Sequence, residues 1–166
     1  MNSIGFDKER CNDIVDRAES TNSWRFLSNG VYHYHLSPLE LTEYEQDILK
    51  QYCIDNLNLE LLKGEASIMK YTEGDYILPH VDRFVENQGG TLMHTRMLYN
   101  INVRLNDNFT GGEFYLEGKP FHREIGKLYH YKSDQVHEVR PITSGTRYTV
   151  LFYIKEQYIK RKVNLF

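Results

Sequence analysis

The chain has 166 residues, 40% of them hydrophobic and 26% charged, with a formal net charge of −3 from 20 basic and 23 acidic side chains. That length suits one domain able to bury roughly 70% of the surface its unfolded form exposes, and the composition is ordinary for a soluble globular protein. The basic run Lys160-Arg161-Lys162 reads as a solvated terminus, too short to track a phosphate backbone, so nucleic acid is disfavoured as a substrate.

Met1 to Arg10 is polar where a secretory signal needs an apolar stretch, and no apolar run approaches the length of a membrane span. A soluble, intracellular protein is therefore expected. Asp7 is placed to cap a helix that carries Cys11, Ile14, Val15 and Ala18 at three- and four-residue spacing. An extended stretch, Trp24 to Leu36, follows. Ser37 is then expected to cap a second helix, with Pro38 at its first position and Leu41, Tyr44, Ile48 and Tyr52 along one face. Cys11 and Cys53 fall in these helical segments without a CxxC neighbour and read as buried thiols.

After Leu59 the pattern changes to short apolar runs: Ala66–Tyr71, Ile77–Val81, Met97–Leu105, Glu113–Leu116, Lys127–Tyr131, Gln135–Val139 and Tyr148–Ile154. Turn signals such as Glu73-Gly74-Asp75, Asn106-Asp107-Asn108 and Gly111-Gly112 separate them. Short strands at this spacing indicate an all-β sandwich or barrel, and helices outside one sheet would bury their apolar stripes there. Thirteen tyrosines point the same way, since an apolar ring with a hydroxyl suits half-buried strands around a polar-lined cavity. The organisation expected is a single domain over 1–166, with a helical preface to about residue 62 and a β core from about 65 to 155.

His80 and Asp82 are two residues apart in a strand-like run, so their side chains leave the same face. An imidazole and a carboxylate so placed can take adjacent positions on an octahedral metal, and His137, in a later strand-like run, can complete a 2-His-1-carboxylate triad with three positions open. Arg147 follows ten residues after His137. If the chain turns at Pro141–Gly145, it starts the returning strand and brings to the pocket a guanidinium fork that matches a carboxylate in bidentate fashion.

The run Tyr71-Thr-Glu-Gly-Asp-Tyr76-Ile-Leu-Pro-His80-Val-Asp82 resembles the Y-x-x-G-x-Y-x-x-x-H-x-D signature of prolyl 4-hydroxylase-like Fe(II)/2-oxoglutarate-dependent oxygenases. Leu105-Asn106 with Gly111-Gly112-Glu113, then Gly126, then His137 through Pro141 and Gly145 to Arg147, resembles the remaining elements of that family in order. The resemblance covers about residues 65 to 155. It implies a mainly β, double-stranded β-helix (jelly-roll) fold with N-terminal flanking α-helices. It also implies Fe(II), 2-oxoglutarate and O₂, with ascorbate as a candidate reductant. By the same resemblance His80, Asp82 and His137 are the catalytic metal ligands, and Arg147 pairs with the far carboxylate of 2-oxoglutarate beside Tyr71 and Thr149. A second tyrosine contact of that family is replaced here by Arg104, so Arg104 or Asn102 is expected to substitute for it.

The implied reaction is 2-oxoglutarate-dependent hydroxylation of an unactivated C–H bond, in a peptidyl prolyl or other protein side chain. A free amino acid or small metabolite is the alternative substrate, and a non-catalytic jelly-roll binding protein the competing class. Both histidines must be neutral to bind metal, so affinity should fall below roughly pH 6. Val85 to Thr95 is expected to form a mobile flap because Gln88-Gly89-Gly90 and its neighbours offer little apolar surface, and His94 within it and Arg96 just after it are substrate-contact candidates. His33, His35, His122 and His130 read as surface or packing residues. Glu113 follows two glycines that mark a tight turn or a close backbone approach.

Overall fold

A computed structural model of the chain describes residues 5–82, 84–86 and 94–160, with the backbone alone for 84–86 and 94–95. Helix α1 (Lys8–Thr21) starts at Asp7, whose side chain accepts from the Arg10 amide at 2.8 Å, and buries Cys11, Ile14 and Ala18. The stretch expected to be continuously extended is a hairpin. Strands β1 (Arg25–Ser28) and β2 (Tyr32–Leu39) pair antiparallel, and the turn is closed by the Asn29 side chain, which accepts from the Val31 and Tyr32 amides.

The second helix departs from expectation. Ser37 and Pro38 belong to β2, opposite Ile68 and Ser67, and α2 (Glu43–Tyr52) starts at Thr42. Thr42 and Glu45 form a reciprocal capping box, which satisfies two orphan donors where Ser37 would satisfy one. The buried face is Glu45, Leu49 and Tyr52, with Tyr44 53% exposed. Glu45 turns inward because Arg17 on α1 grips both its carboxylate oxygens, at 2.6 and 2.9 Å. A π-helical turn, Cys53–Leu57, ends α2 at left-handed Asn58. Cys11 and Cys53 are buried free thiols, and burial pushes their pKa values up to about 11 and about 12, so both are inert at neutral pH.

The remaining strands are β3 (Ala66–Tyr71), β4 (Tyr76–His80), β5 (Phe84–Glu86), β6 (His94–Arg104), β7 (Phe109–Gly111), β8 (Phe114–Leu116), β9 (Lys119–Pro120), β10 (Leu128–Lys132), β11 (His137–Val139), β12 (Ile142–Gly145) and β13 (Arg147–Lys155). The seven expected runs appear as β3, β4, β6, β8, β10, β11 and β13. Strands β5, β7, β9 and β12, of two to four residues each, were not among the expected runs. The main antiparallel sheet runs β10-β6-β13-β3-β2-β4-β11-β8-β9 and curls on itself. Strand β2 joins its arms: His35–Leu39 pair with β3 and Tyr32–His33 with β4, and the Thr72–Asp75 turn loops out between them. Pro141–Gly145 is more than a turn. Ile142–Gly145 pair with β7, so β11 and β13 lie on different arms instead of side by side.

Alternation along β13, β6 and β3 divides the interior in two. Val150, Phe152 and Ile154, with Ile101, Val103 and Ile68, pack under Phe6, Ile14, Leu49 and Cys53 of the helical layer. Their neighbours Arg147, Thr149, Leu151, Tyr153, Asn100, Asn102, Met69 and Tyr71 face a cavity inside the curl. Among the described residues, no helix is long and apolar enough to cross a membrane.

The Glu45–Arg17 contact ties α2 to α1 and sits on a fully buried carboxylate. Burial works to raise the Glu45 pKa, but the bonds from Arg17 and Thr42 outweigh it and the net shift is downward. Glu45→Ala is expected to lower unfolding free energy at neutral pH by about 2–3 kcal/mol, through loss of both cap and ion pair. In urea titrations the difference should be full above about pH 4.3, the unfolded value for Glu, and shrink as pH falls through the lower folded value.

Candidate active site

His80 ends β4 and lies directly across from His137, the first residue of β11. Asp82 stands just beyond β4, its amide held by the Ser133 carbonyl at 2.8 Å. The His80 Nε2–Asp82 Oδ1 distance is 3.1 Å and the His137 Nε2–Asp82 Oδ2 distance 3.0 Å. One ligand atom from each residue lies within 4.8 Å of the others, an arrangement that could hold a metal ion. Both rings are oriented from behind. His80 Nδ1 faces the Leu78 carbonyl at 2.8 Å, and His137 Nδ1 faces that of Gln135 at 3.0 Å. A carbonyl only accepts, so each Nδ1 carries its hydrogen and a neutral ring presents the lone pair of Nε2 inward.

Two lone pairs and a carboxylate then converge, and a cation, proton or metal, is what such a cluster binds. Tyr32 Oη donates to Asp82 Oδ1 at 3.3 Å and Asn100 Nδ2 to Oδ2 at 3.1 Å, which fixes the carboxylate plane. Burial works to raise the Asp82 pKa, but the hydrogen bonds from His137 and His80 outweigh it and hold the carboxyl well below the usual range. Burial likewise works to lower His80, and the bond and charge of Asp82 reverse it to a net rise.

The triad opens into a cavity of about 260 Å³, towards the small end for a ligand site. Arg147, 2% exposed, stands opposite Tyr71 in the β13–β3 ladder with its guanidinium 4.9 Å from the Tyr71 ring centre. Gly112 makes room for it: a Cβ there would meet Ile142 Cδ1 at 2.3 Å and Arg147 Cδ at 3.1 Å, on a backbone with φ of +67°. The Gly111-Gly112 pair is thus the close approach read from the sequence, and Glu113 is exposed. Among the described residues, Arg147 Nη1, Thr149 Oγ1, Asn102 Oδ1 and Asn100 Oδ1 are buried without a hydrogen-bond partner, and all four residues line the cavity. Each such group costs about 1–3 kcal/mol, more where charged, until something supplies the missing bond.

His80, Asp82, His137, Tyr71, Thr149, Asn102 and Arg147 thus share one cavity. Arg104 does not line it: its Nε and Nη1 donate to the carbonyls of Asn106 and Arg123, and it lies over the Phe109 ring. Arg96 is exposed and also off the cavity wall. The side chain of His94, and most of the expected flap from Val85 to Thr95, lie outside the described residues, although the backbone of Phe84–Glu86 pairs with His94–Arg96. His33 and His35 flank Phe26, each 4.9 Å from its ring, and His130 bonds Tyr52, as packing residues do. Tyr32, Asn100, Tyr131 and Arg123 are wall residues that sequence reasoning did not select. Phe121-His122-Arg123-Glu124 carries no local signal that its arginine is buried.

A curled jelly-roll with two histidines and one carboxylate on one arm, and a buried arginine on the other, defines the class of non-haem iron oxygenases with open coordination positions. The chain belongs to the 2OG-Fe(II) oxygenase superfamily, whose sequence model matches residues 66–155. Its family cofactors are therefore Fe(II), 2-oxoglutarate and O₂, and its class of activity is that of a dioxygenase. Similar solved structures share the fold at low identity. They include a viral collagen prolyl hydroxylase from Paramecium Bursaria Chlorella virus-1 in complex with 2-oxoglutarate (TM-score 0.64, 12% identity, 89% of this chain and 90% of that one). A Pseudomonas putida prolyl-4-hydroxylase aligns with a TM-score of 0.66 at 15% identity over 98% of this chain and 91% of its own. A 2OG-Fe(II) oxygenase family oxidoreductase from Burkholderia pseudomallei gives 0.67 at 14% over 95% and 84%. No curated protein matches the chain by sequence.

Without metal, the cluster's own titration has a sign. The raised His80 contributes stability that is full below about pH 6.5 and lost as pH rises through its folded pKa, while the depressed Asp82 contributes above about pH 3.9 and is lost as pH falls. In chelator-treated protein, Asp82→Asn should therefore cost most melting temperature near pH 5 and clearly less at pH 8. An equal cost at both would show that the His80–Asp82 contact is not what stabilises the metal-free cluster.

Proposed function

We propose that the chain, as one oxygenase domain over 1–166, is a hydroxylase that oxidises an unactivated C–H bond in a peptidyl prolyl or other protein side chain. The observation that carries the oxygenase reading is one cavity with three converging metal-type ligands and, among the described residues, a buried Arg147 Nη1 and Thr149 Oγ1 without hydrogen-bond partners. These residues fit the family's cofactors. His80, Asp82 and His137 would hold Fe(II), a borderline metal well served by two imidazoles and one carboxylate. Arg147 and Thr149 would satisfy the distal carboxylate of 2-oxoglutarate, and that pairing would remove the cost of their present isolation. When bound, the iron and co-substrate supply O₂ activation coupled to decarboxylation of 2-oxoglutarate to succinate and CO₂.

The chain's own residues bind, orient and exclude water. The backbone carbonyls behind His80 and His137 keep Nε2 free for a metal. Tyr32 and Asn100 steady Asp82. Met69, Ile77, Phe114 and Leu151 line the cavity with apolar surface that keeps it dry around a reactive centre. A peptide substrate, with ascorbate as reductant, is supported by the family resemblance and by the prolyl hydroxylases that share the fold. Fold alone is a weak warrant for substrate, so the test is direct: mix the iron-loaded protein with 2-oxoglutarate, O₂ and a panel of prolyl peptides, free amino acids and small metabolites, and assay succinate. Release stimulated by prolyl peptides is expected. Release stimulated by a free amino acid alone would move the substrate to a small metabolite, and no release with any addition would remove the activity.

Two variants separate the parts. His137→Ala should abolish stoichiometric binding of Fe(II), followed by titration under anaerobic conditions. Arg147→Ala should leave metal binding intact and raise the 2-oxoglutarate requirement about 10–100-fold, the loss of a charge-assisted pair.

A further inference from the structure

Arg123 has no role in the reading above, yet it is one of the most unusual side chains in the molecule. It is 4% exposed, its Nη1 has no hydrogen-bond partner among the described residues, and it lines the same cavity as Arg147. Its guanidinium lies 4.3 Å from the Phe114 ring centre, and the Phe114 ring centre lies 6.1 Å from that of His137. Burial and then the Arg147 charge both push its pKa down, so the folded protein works against both guanidinium charges at once. Among the described residues, neither Arg123 nor Arg147 forms a salt bridge. A second, smaller hollow of about 250 Å³, lined by Arg104, Phe109, Gly112 and Phe121, reaches both from behind.

A cation–π contact is worth about 2 kcal/mol when desolvated, too little to offset burying a like charge beside Arg147. A merely structural residue at this point would be apolar, because replacing buried ionic groups with packed apolar ones is often neutral or stabilising. The neighbouring Arg104, whose position suggested a co-substrate contact, is turned away and instead donates to the Arg123 carbonyl, which holds the Arg123 backbone in place.

We propose that Arg123 is a second guanidinium anchor for the distal carboxylate of the 2-oxo acid co-substrate, acting with Arg147 and taking the place of the missing second tyrosine hydroxyl. This rests on the reading of the cavity as a 2-oxoglutarate site. Two cations on one carboxylate make the site demand a 2-oxo acid with a charged far end, and reject one that is short and apolar.

The test uses full-length protein loaded with Mn(II), which binds the triad without turnover. Calorimetric titration with 2-oxoglutarate and with pyruvate, which lacks the far carboxylate, is run on wild type, Arg123→Met, Arg123→Lys and Arg147→Met. The expected result is that Arg123→Met weakens 2-oxoglutarate binding at least about tenfold, as loss of one charge-assisted bond does, and leaves pyruvate unchanged. Arg123→Lys should fall between, since a point charge replaces a fork. The ligand-free melting temperature of Arg123→Met should stay level or rise, which a structural role for Arg123 would not allow. If Arg123→Met binds 2-oxoglutarate within about twofold of wild type while Arg147→Met loses it, the second anchor is wrong and the co-substrate site stands. If wild type does not prefer 2-oxoglutarate to pyruvate, the site reading itself fails. Should Arg123→Met not fold, Arg123→Lys decides on the same criterion, with wild-type-like affinity and selectivity counting against the anchor.

Discussion

A strand buried on both faces must place alternate residues in two different surroundings, and β13 does this for the whole molecule. Val150, Phe152 and Ile154 enter the apolar layer under α1 and α2, while Arg147, Thr149, Leu151 and Tyr153 enter the cavity. The pairing partners repeat the division, with Ile101 and Val103 beside Asn100 and Asn102 on β6, and Ile68 beside Met69 and Tyr71 on β3. A slip of one residue would exchange the two sets and turn Arg147 towards the helical layer. The helical layer is therefore part of the site's construction. It supplies the apolar burial that holds register, and register aims the polar residues.

Electrostatics shows where that burial energy is spent. The cavity contains buried arginines and unpartnered hydroxyl and amide oxygens, groups that cost stability when their bonds are unmade and that packed apolar residues often replace without loss. Among the described residues, five of the seven buried polar atoms without a partner belong to residues that line this cavity, where a ligand can supply the missing bonds. Elsewhere charged groups find partners: Glu45 is paired with Arg17, Glu65 with Lys155, and Glu19 with Lys70 and Tyr148.

The two ends of the cavity are built differently. At the triad, the direct His80–His137 cross-strand pair sets the spacing, and backbone carbonyls set the tautomers. At the cationic end, no backbone group among the described residues orients the guanidinium of Arg147. Its place is set by the Tyr71 ring and by the missing side chain of Gly112. One end is rigidly aimed at a cation, and the other is an unneutralised positive surface.

Much of this was legible in the chain. The β content, seven of the strands, the Asp7 cap, the buried thiols and the cluster of His80, Asp82, His137 and Arg147 were legible from spacing, local chemistry and motif order, because period-two alternation and capping act over a few residues. The second helix was misplaced because Ser37-Pro38 and Thr42-Glu45 are both valid starts locally, and the pairing of β2 with β3 decides between them. The path from His137 to Arg147 was read only as a turn, because a pairing of Ile142–Gly145 with Phe109–Gly111 leaves no mark on either segment. Arg104 and Arg123 are the sharpest case. As letters, both are charged residues near a turn. Only the curl of the sheet turns one away from the cavity and buries the other inside it, because burial is a property of what the rest of the chain brings to a residue, and no window of sequence contains that.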